Sequence, residues 1–215
     1  MPWRDPSTLT RFTVATLLWL PVCFALWYFL SILSVLPLSS LMNLIMTGVF
    51  PQLIGDVQPR GNALLIQTFM AIPNPHVADG PAVAAVFTVN PLPYGYGVPM
   101  YTALVLASPV PVRDKAWRWT LGVLILALVQ TFGVATHMMK ILAFEMGEGA
   151  RDRLGFSQLG YEAVAIAYQV GYLILPAVTP ILIWVWQFRG FVSRLVDFPS
   201  PETPTPRSRV RSSRP

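Results

Sequence analysis

The sequence predicts a mainly α membrane protein with about four transmembrane helices and a small extracytoplasmic β-element between helices 1 and 2. Only 12% of its 215 residues are charged, against about 25% in a typical soluble domain. A helix needs about 20 apolar residues to cross about 30 Å of hydrocarbon. The chain has long stretches without Asp, Glu, Lys, Arg or His that meet this length, namely 12–55, 80–112, 119–136 and 163–188. Between the first two of these stretches, the residue pattern is typical of strands and turns.

The first span is predicted over 12–36, after a short N-terminal segment, 1–11. Pro21 is expected to kink this helix, and Pro37 is expected to end it. The stretch is long for a signal-peptide core and has no small-x-small cleavage pattern, so it is interpreted as a retained anchor. The lone cysteine, Cys23, lies inside it, so no intrachain disulfide is available and the redox compartment is not indicated.

Residues 37–54 are apolar but are interrupted by polar, small and helix-breaking residues. Asn43, Gly48 and Pro51 fall at intervals that shorten the continuous apolar run. The segment is therefore predicted to be an interfacial or re-entrant helix. A second full span is the alternative.

The β-element is predicted over 55–96. The runs "NALLIQTFMAI" and "AVAAVFTVN" are strand-like, and "PNPHVADGP" between them is rich in turn formers. The block "NPLPYGYGVP" then ends the element, because proline cannot donate a ladder hydrogen bond and glycine permits a sharp redirection. Tyrosines are typical of a membrane–water boundary. Three of them form a candidate partner-contact corner: Tyr94, Tyr96 and Tyr101.

The rest of the chain is divided by its charges into spans and connections. A basic cytoplasmic loop and a polar periplasmic loop separate the remaining three helices, and the Pro-, Ser- and Arg-rich tail cannot bury enough surface to order itself. The predicted segments are a second span over 97–112, a loop over 113–118, a third span over 119–142, a loop over 143–160, a fourth span over 161–188 and a disordered basic cytoplasmic tail over 189–215.

The distribution of Lys and Arg predicts the orientation. With four spans, eleven of the fifteen basic residues lie on the side of the termini and four on the other. Positive charge favours the cytoplasmic side, so both termini are predicted in the cytoplasm of a bacterial inner membrane. Because the basic residues flank apolar spans and form no single stripe, no nucleic-acid partner is predicted, and membrane lipids are the expected surroundings.

Polar residues within or beside the spans mark a candidate polar seam, since such groups are costly in a bilayer. Antiparallel third and fourth spans would bring the lysine and histidine of one near the glutamate of the other, with one boundary ion pair. The seam is interpreted as helix pairing, with an ion or proton path as the alternative. Its members are Gln130, His137, Lys140, Glu162 and Gln169.

No metal, cofactor or catalytic site is predicted. His76 and Asp79 share a turn, but two ligands in a flexible loop are a weak metal signal and a solvated turn is favoured. The chain has no HExxH, cysteine pair, phosphate-binding glycine loop or GxSxG.

An apolar first span with "LLWLPVCFALWYFL", an outward β-segment, "VNPLPYGYGVPMYTALVLASP" and a C-terminal helical pair together resemble the exosortase H-associated membrane proteins. The resemblance covers most of 11–191. It implies an accessory role beside an exosortase, in handling surface proteins with a C-terminal sorting signal. It implies no catalytic residues.

Exosortases themselves look like cysteine transpeptidases with Arg and His partners. Here Cys23 lies in the middle of an apolar span without such partners, where a thiol is expected to be protonated and inert. The chain is therefore predicted to be a non-catalytic partner or scaffold of an exosortase-type sorting system. The alternatives are a small transporter or channel subunit that uses the polar seam, and an enzyme without a recognisable motif. The sequence does not indicate an oligomeric state.

Overall fold

The computed structural model describes residues 6–72 and 83–196. Within them, helices dominate and a three-stranded sheet separates the first two helices from the rest. The helices are α1 Pro6–Phe29, α2 Ser31–Val49, α3 Leu92–Gly95, α4 Gly97–Ala107, α5 Val112–Phe144, α6 Glu148–Leu154, α7 Gln158–Gln169, α8 Leu175–Gln187 and α9 Arg189–Val196, with a π-helix, Val170–Ile174, joining α7 to α8. The strands are β1 Ile54–Arg60, β2 Ala63–Ile72 and β3 Val83–Val89.

The sheet is antiparallel in the order β1-β2-β3. A two-residue turn joins β1 to β2, with Gly61 at φ +61° as such turns require. Along β2, Leu64 and Ile66 are fully buried while Phe69 on the opposite face is 62% exposed. The buried hydroxyl of Thr68 donates to the carbonyl of Ala85. A polar residue on the inner face and an aromatic one on the outer face explain why β2 alternates poorly in sequence.

Helices α1 and α2 follow one another almost without a break, interrupted only at Leu30. The start of α1 lies beside α8, where Phe12 stacks on Trp184 at 5.3 Å. Farther along α1, Trp27 comes close to Gly95, and α2 then packs against β1 and α5. The two helices therefore run end to end along the molecule, with α2 at the end that carries the sheet.

Helix α5 is the longest element and connects two hydrophobic cores. Thirty-three residues at 1.5 Å each give about 50 Å, which exceeds the hydrocarbon thickness. Its N-terminal half joins α4 and α8 around Tyr101 and Trp184. Its C-terminal half joins α2 and the sheet around Met42, Met138 and Leu142. These two ends are called the terminal end and the sheet end below.

The segment α3–α4 returns the chain from the sheet end to the terminal end. Gln130 on α5 donates to the carbonyl of Pro91, and Tyr101 donates to the carbonyl of Arg118. The chain thus runs antiparallel to α5 over both bonds. The span predicted over 97–112 lies in this segment. Its helix, α4, ends at Ala107, because the backbone of Ser108 is extended.

The chain returns to the terminal end through α7, the π-helix and α8. Pro176 lacks the N–H that a regular helix would donate to the carbonyl of Tyr172, and its ring crowds that carbonyl. The π-helix ends two residues before Pro176, and the N–H of Leu175 bonds to the carbonyl of Val170. One wide turn thereby keeps α7 and α8 on a common path.

The predicted fold class is confirmed, because the described residues contain four helices that are long and apolar enough to cross a membrane, together with the small sheet. These candidates are Leu9–Phe29, Ser31–Val49, Val112–Phe144 and Gln158–Gln187. Since α2 counts among them by length and composition, the sheet lies between the second and third candidates.

Several predicted boundaries differ from the structure. Pro37 does not end the first span, since it lies exposed within α2, and the break comes earlier, at Leu30. Residues 113–118 are helical as the start of α5, and the loop over 143–160 contains α6. The turn with His76 and Asp79 and most of the tail lie outside the described residues.

Candidate functional site at the sheet end

Tyr94 is the central residue of a cluster of rings where α3, α5 and the π-helix meet. The short helix α3 directs its ring inward, and only 2% of the residue is exposed. The ring reaches α5 at Gly133, where a Cβ atom would lie 2.3 Å from its Cδ1. Burial raises the pKa of Tyr94 above its usual value, and the nearby Tyr168 and Tyr172 raise it further. The hydroxyl therefore stays neutral and able to donate a hydrogen bond.

His137 on α5 faces Tyr94, with 5.8 Å between the ring centroids. In the part of the chain that the structure describes, the buried Tyr94 hydroxyl and the buried His137 Nδ1 have no hydrogen-bond partner. A buried polar group without a partner costs about 1–3 kcal/mol. Native proteins keep such groups rarely, often where a water or a ligand completes them. The two atoms are therefore the polar groups of this cluster that its described neighbours leave unpaired.

Two tyrosines from the other side complete the ring cluster, which is defined here as Tyr94, His137, Tyr168 and Tyr172. Tyr168 lies 5.4 Å from His137, and Tyr172 lies 5.7 Å from Tyr94, between ring centroids. The two tyrosine rings stack on each other at 5.8 Å. Tyr172 is 39% exposed, so the ring cluster extends from the helix interior to the surface.

Close helix approach holds the ring cluster together. At Gly133 a Cβ would meet the carbonyl oxygen of Gly171 at 3.0 Å, and at Gly171 it would meet the Thr136 hydroxyl at 3.0 Å. Small residues allow helix backbones to approach in this way in membranes. Gly171 belongs to the π-helix, and π-helical turns are frequent at functional sites.

The structure brings only part of the predicted polar seam together. Gln130 and His137 lie on the inner side of α5, but Lys140 pairs with Glu145 on its own chain segment. Glu162 accepts from Gln158 on α7 and is exposed, as is Gln169. The expected Lys140–Glu162 ion pair is therefore wrong. The physical reason is that α7 turns this face away from α5 and buries Val164 instead.

The three corner tyrosines occupy different environments. Tyr94 lies in the ring cluster, and Tyr96 is half-buried at the start of α4. Tyr101 is fully buried at the terminal end, where its hydroxyl donates to the Arg118 carbonyl at 2.7 Å and lies 2.6 Å from Gln187 Oε1. The corner is thus no common surface, because α4 carries Tyr101 away from the sheet end.

A second feature of the sheet end is an exposed apolar face on α2, called the leucine face and defined as Leu33, Leu36, Leu41 and Leu44. Exposure of these side chains reaches 72% at Leu44. The opposite face of α2 is fully buried through Val35 and Met42. No Asp, Glu, Lys or Arg occurs in the 19 residues of α2.

Charged residues lie near the C-terminal end of α2. Arg153 in the last turn of α6 donates to the carbonyl of Gln52 just after α2, and Asn43 on α2 accepts from the N–H of Val57 on β1. Asp56 belongs to the same strand. Large exposed apolar patches in polar surroundings mark sites of interaction.

Sequence reasoning placed His137 and Tyr94 among the candidates but not next to each other. Tyr168 and Tyr172 were missed, because their spacing of four along one helix is typical of ordinary packing. The leucine face was also missed. The charge-free sequence of α2 was the available signal, but it equally fits a membrane span.

Comparison with known protein families relates the chain to a family of membrane proteins. The family model described as "Exosortase H-associated membrane protein" matches residues 6–191, which includes both hydrophobic cores and the ring cluster. No curated protein and no solved structure matches the chain.

Proposed function

Because the chain belongs to the exosortase H-associated membrane protein family, we propose that it acts as a non-catalytic accessory protein of an exosortase-type protein-sorting system. In this role it binds a partner membrane protein and holds it at the sheet end. The membrane is the bacterial inner membrane, with both termini in the cytoplasm and the sheet in the periplasm. The positive charge on the side of the termini supports this orientation.

The leucine face of α2 carries the proposal. This uncharged face belongs to a helix that ends beside the charged residues Asp56 and Arg153. In such surroundings the face would contact water unless a partner covered it. An apolar helix of a partner would remove that surface from water, at about 25 cal/mol per Å² of apolar area.

A catalytic role has less support from the described residues. Cys23 is buried at 5% exposure within α1, and its neighbours along the helix are apolar. The described residues contain no group of three or more His, Cys, Asp or Glu side chains that could hold a metal ion. The non-catalytic assignment remains part of the proposal.

Site-specific photocrosslinking in the native membrane tests the proposal. A photoreactive residue replaces Leu44, which is 72% exposed on the leucine face, and the matched control replaces Leu128, which is 67% exposed on α5. We expect capture of an exosortase-like membrane protein, identified by mass spectrometry, from position 44 and not from position 128. Capture of lipid alone at both positions would overturn the proposed role of the leucine face.

A transport role through the polar seam has weaker geometric support. Glu162 and Gln169 are exposed at the surface, and Lys140 pairs with Glu145, so these three residues do not line a common path. A flux assay on vesicles with the Lys140→Met and Glu162→Gln variants separates the two functions. A transport path would lose flux while the protein stays folded, whereas the accessory role predicts no flux in the wild type.

A further inference from the structure

A basic groove at the terminal end of the helices is independent of the ring cluster and of the leucine face. It lies between α5 and α8 and encloses about 400 Å³. Its lining combines two arginines, two tryptophans, a glutamine and a leucine: Trp117, Arg118, Leu121, Trp186, Gln187 and Arg189. This composition is typical of the membrane–water boundary, where indole rings and arginine side chains meet lipid headgroups.

The arginine on α5 is held in place by its neighbours. The Arg118 guanidinium donates to the carbonyl of Gln187 and lies over the ring of Phe188, 4.9 Å from its centroid. The nearest acidic residue along α5 is Asp114, one turn earlier, but the ion pair found within residues 6–72 and 83–196 is Lys140–Glu145. Arg118 thus brings a positive charge that no carboxylate neutralises there, and guanidinium groups suit phosphate through two parallel hydrogen bonds.

Apolar stripes lead from the groove along both helices. On α5, Leu124 and Leu128 follow Trp117 at helical spacing and are 60% and 67% exposed. On α8, Leu182 precedes Trp186 by one turn and is 61% exposed. Residues three and four apart share a helix face. Each stripe therefore runs from the groove toward the middle of the span, as the acyl chains of a bound lipid would.

We propose that this groove binds the phosphate of an anionic membrane phospholipid, with Arg118 and Arg189 as its ligands and the lipid's acyl chains along the two stripes. The tryptophans flank the headgroup, since indole rings prefer this depth in the bilayer. The occupant is a phospholipid rather than free phosphate, because the apolar stripes end at the cationic groups. The role of such a lipid is to join α5 to α8 at the end opposite to the sheet.

Native mass spectrometry of the full chain tests the proposal. The protein is reconstituted in vesicles of phosphatidylcholine and phosphatidylglycerol, released gently, and the retained lipids are counted. We expect preferential retention of phosphatidylglycerol by the wild type. Loss of one charge-assisted contact should weaken it about tenfold in Arg189→Gln. The double variant with Arg118→Gln should retain no more phosphatidylglycerol than phosphatidylcholine.

The matched control is Arg113→Gln, an exposed arginine at the same end of α5 that does not line the groove. It should retain phosphatidylglycerol as the wild type does. An equal loss in this control would show attraction to the general charge of this end and would overturn the proposal, as would equal retention of both lipids by the wild type. Displacement of the lipid by added inorganic phosphate would assign the groove to free phosphate and overturn the lipid assignment. Because Arg189 is exposed, we expect Arg189→Gln to fold as the wild type does. A thermal melt of the variant beside the wild type checks this.

Discussion

At the scale of single residues, Gly122 shows most directly how tightly α4 and α5 pack. A Cβ atom at this position would lie 2.2 Å from Cζ of Tyr101, whose ring is fully buried and bonded through its hydroxyl. Because the ring is buried and hydrogen-bonded, moving it aside is costly, so Gly122→Ala should lower the free energy of unfolding by about 1–3 kcal/mol. Unfolding in mixed micelles measures this.

The control for this substitution is Gly48→Ala on α2. A Cβ there meets nothing within 4 Å, and alanine favours a helix over glycine by about 1 kcal/mol. We expect equal or higher stability. Equal loss in both variants would contradict the packing explanation.

The buried hydroxyl of Tyr94 leads to a second prediction. Because it has no hydrogen-bond partner within the described chain, Tyr94→Phe removes a desolvation cost and should leave the free energy of unfolding equal or higher, by up to about 1–3 kcal/mol. Tyr101→Phe, which loses the contacts to Arg118 and Gln187, should lower it by about 1 kcal/mol or more. Denaturant unfolding of both variants makes the comparison. A similar loss in the two would show that a polar group already occupies the ring cluster.

At the residue scale, the sequence allowed single candidates to be identified but not their contacts. His137 could be singled out because polar groups within a bilayer are costly, and Tyr94 because tyrosines are typical of the membrane–water boundary. Their contact depends on α3 and α4 running antiparallel to α5, and one sequence does not contain that register. The Lys140–Glu162 pair was wrong for another reason, because Glu145, five residues from Lys140, pairs with it locally.

At the scale of elements, the π-helix Val170–Ile174 allows a sharp test. A π-turn contains one residue more than the α-turn that it replaces, so deleting Leu173 should remove the wide turn while α7 and α8 keep their faces. Pro176 would then lie in a regular helix, where its ring crowds the preceding turn. Deleting Leu182 from α8 instead would rotate Trp184 away from Ser108, to which its indole donates at 2.9 Å. We expect the first deletion to fold with a modest loss of stability and the second to fold poorly. Thermal melting in detergent compares them, and equal tolerance would contradict the role of the π-turn.

The strands and spans were predictable from sequence to different degrees. β3 follows a period-two pattern and was found, whereas β1 was not singled out as a strand. Pro59 within β1 is acceptable because β1 is an edge strand. The end of the first span was misplaced, since Pro37 lies on the exposed side of α2, where its ring has space. Proline position alone does not indicate whether a helix has that space.

At the scale of the whole molecule, charge-free stretches were sufficient to predict a membrane protein with an extramembrane sheet. They were not sufficient to place α2, because an apolar helix that covers a sheet and one that spans lipid have the same composition. In its tertiary contacts, α2 follows α1 end to end and packs on β1, as expected of a helix that covers a sheet. A second crossing folded back on α1 would instead pack along it.

This arrangement predicts on which side of the membrane each connection lies. If α2 continues beyond the bilayer, Gln58 on β1 lies opposite to both Leu9 and Val112. If α2 crosses, Gln58 shares the side of Leu9. Single cysteines at these exposed positions, in a Cys23→Ala background, are labelled with a membrane-impermeant maleimide on sealed vesicles of known orientation. We expect Leu9→Cys and Val112→Cys to react from the cytoplasmic side and Gln58→Cys from the other. Labelling of Gln58→Cys and Leu9→Cys from one side would make α2 a transmembrane helix and would place the leucine face in lipid.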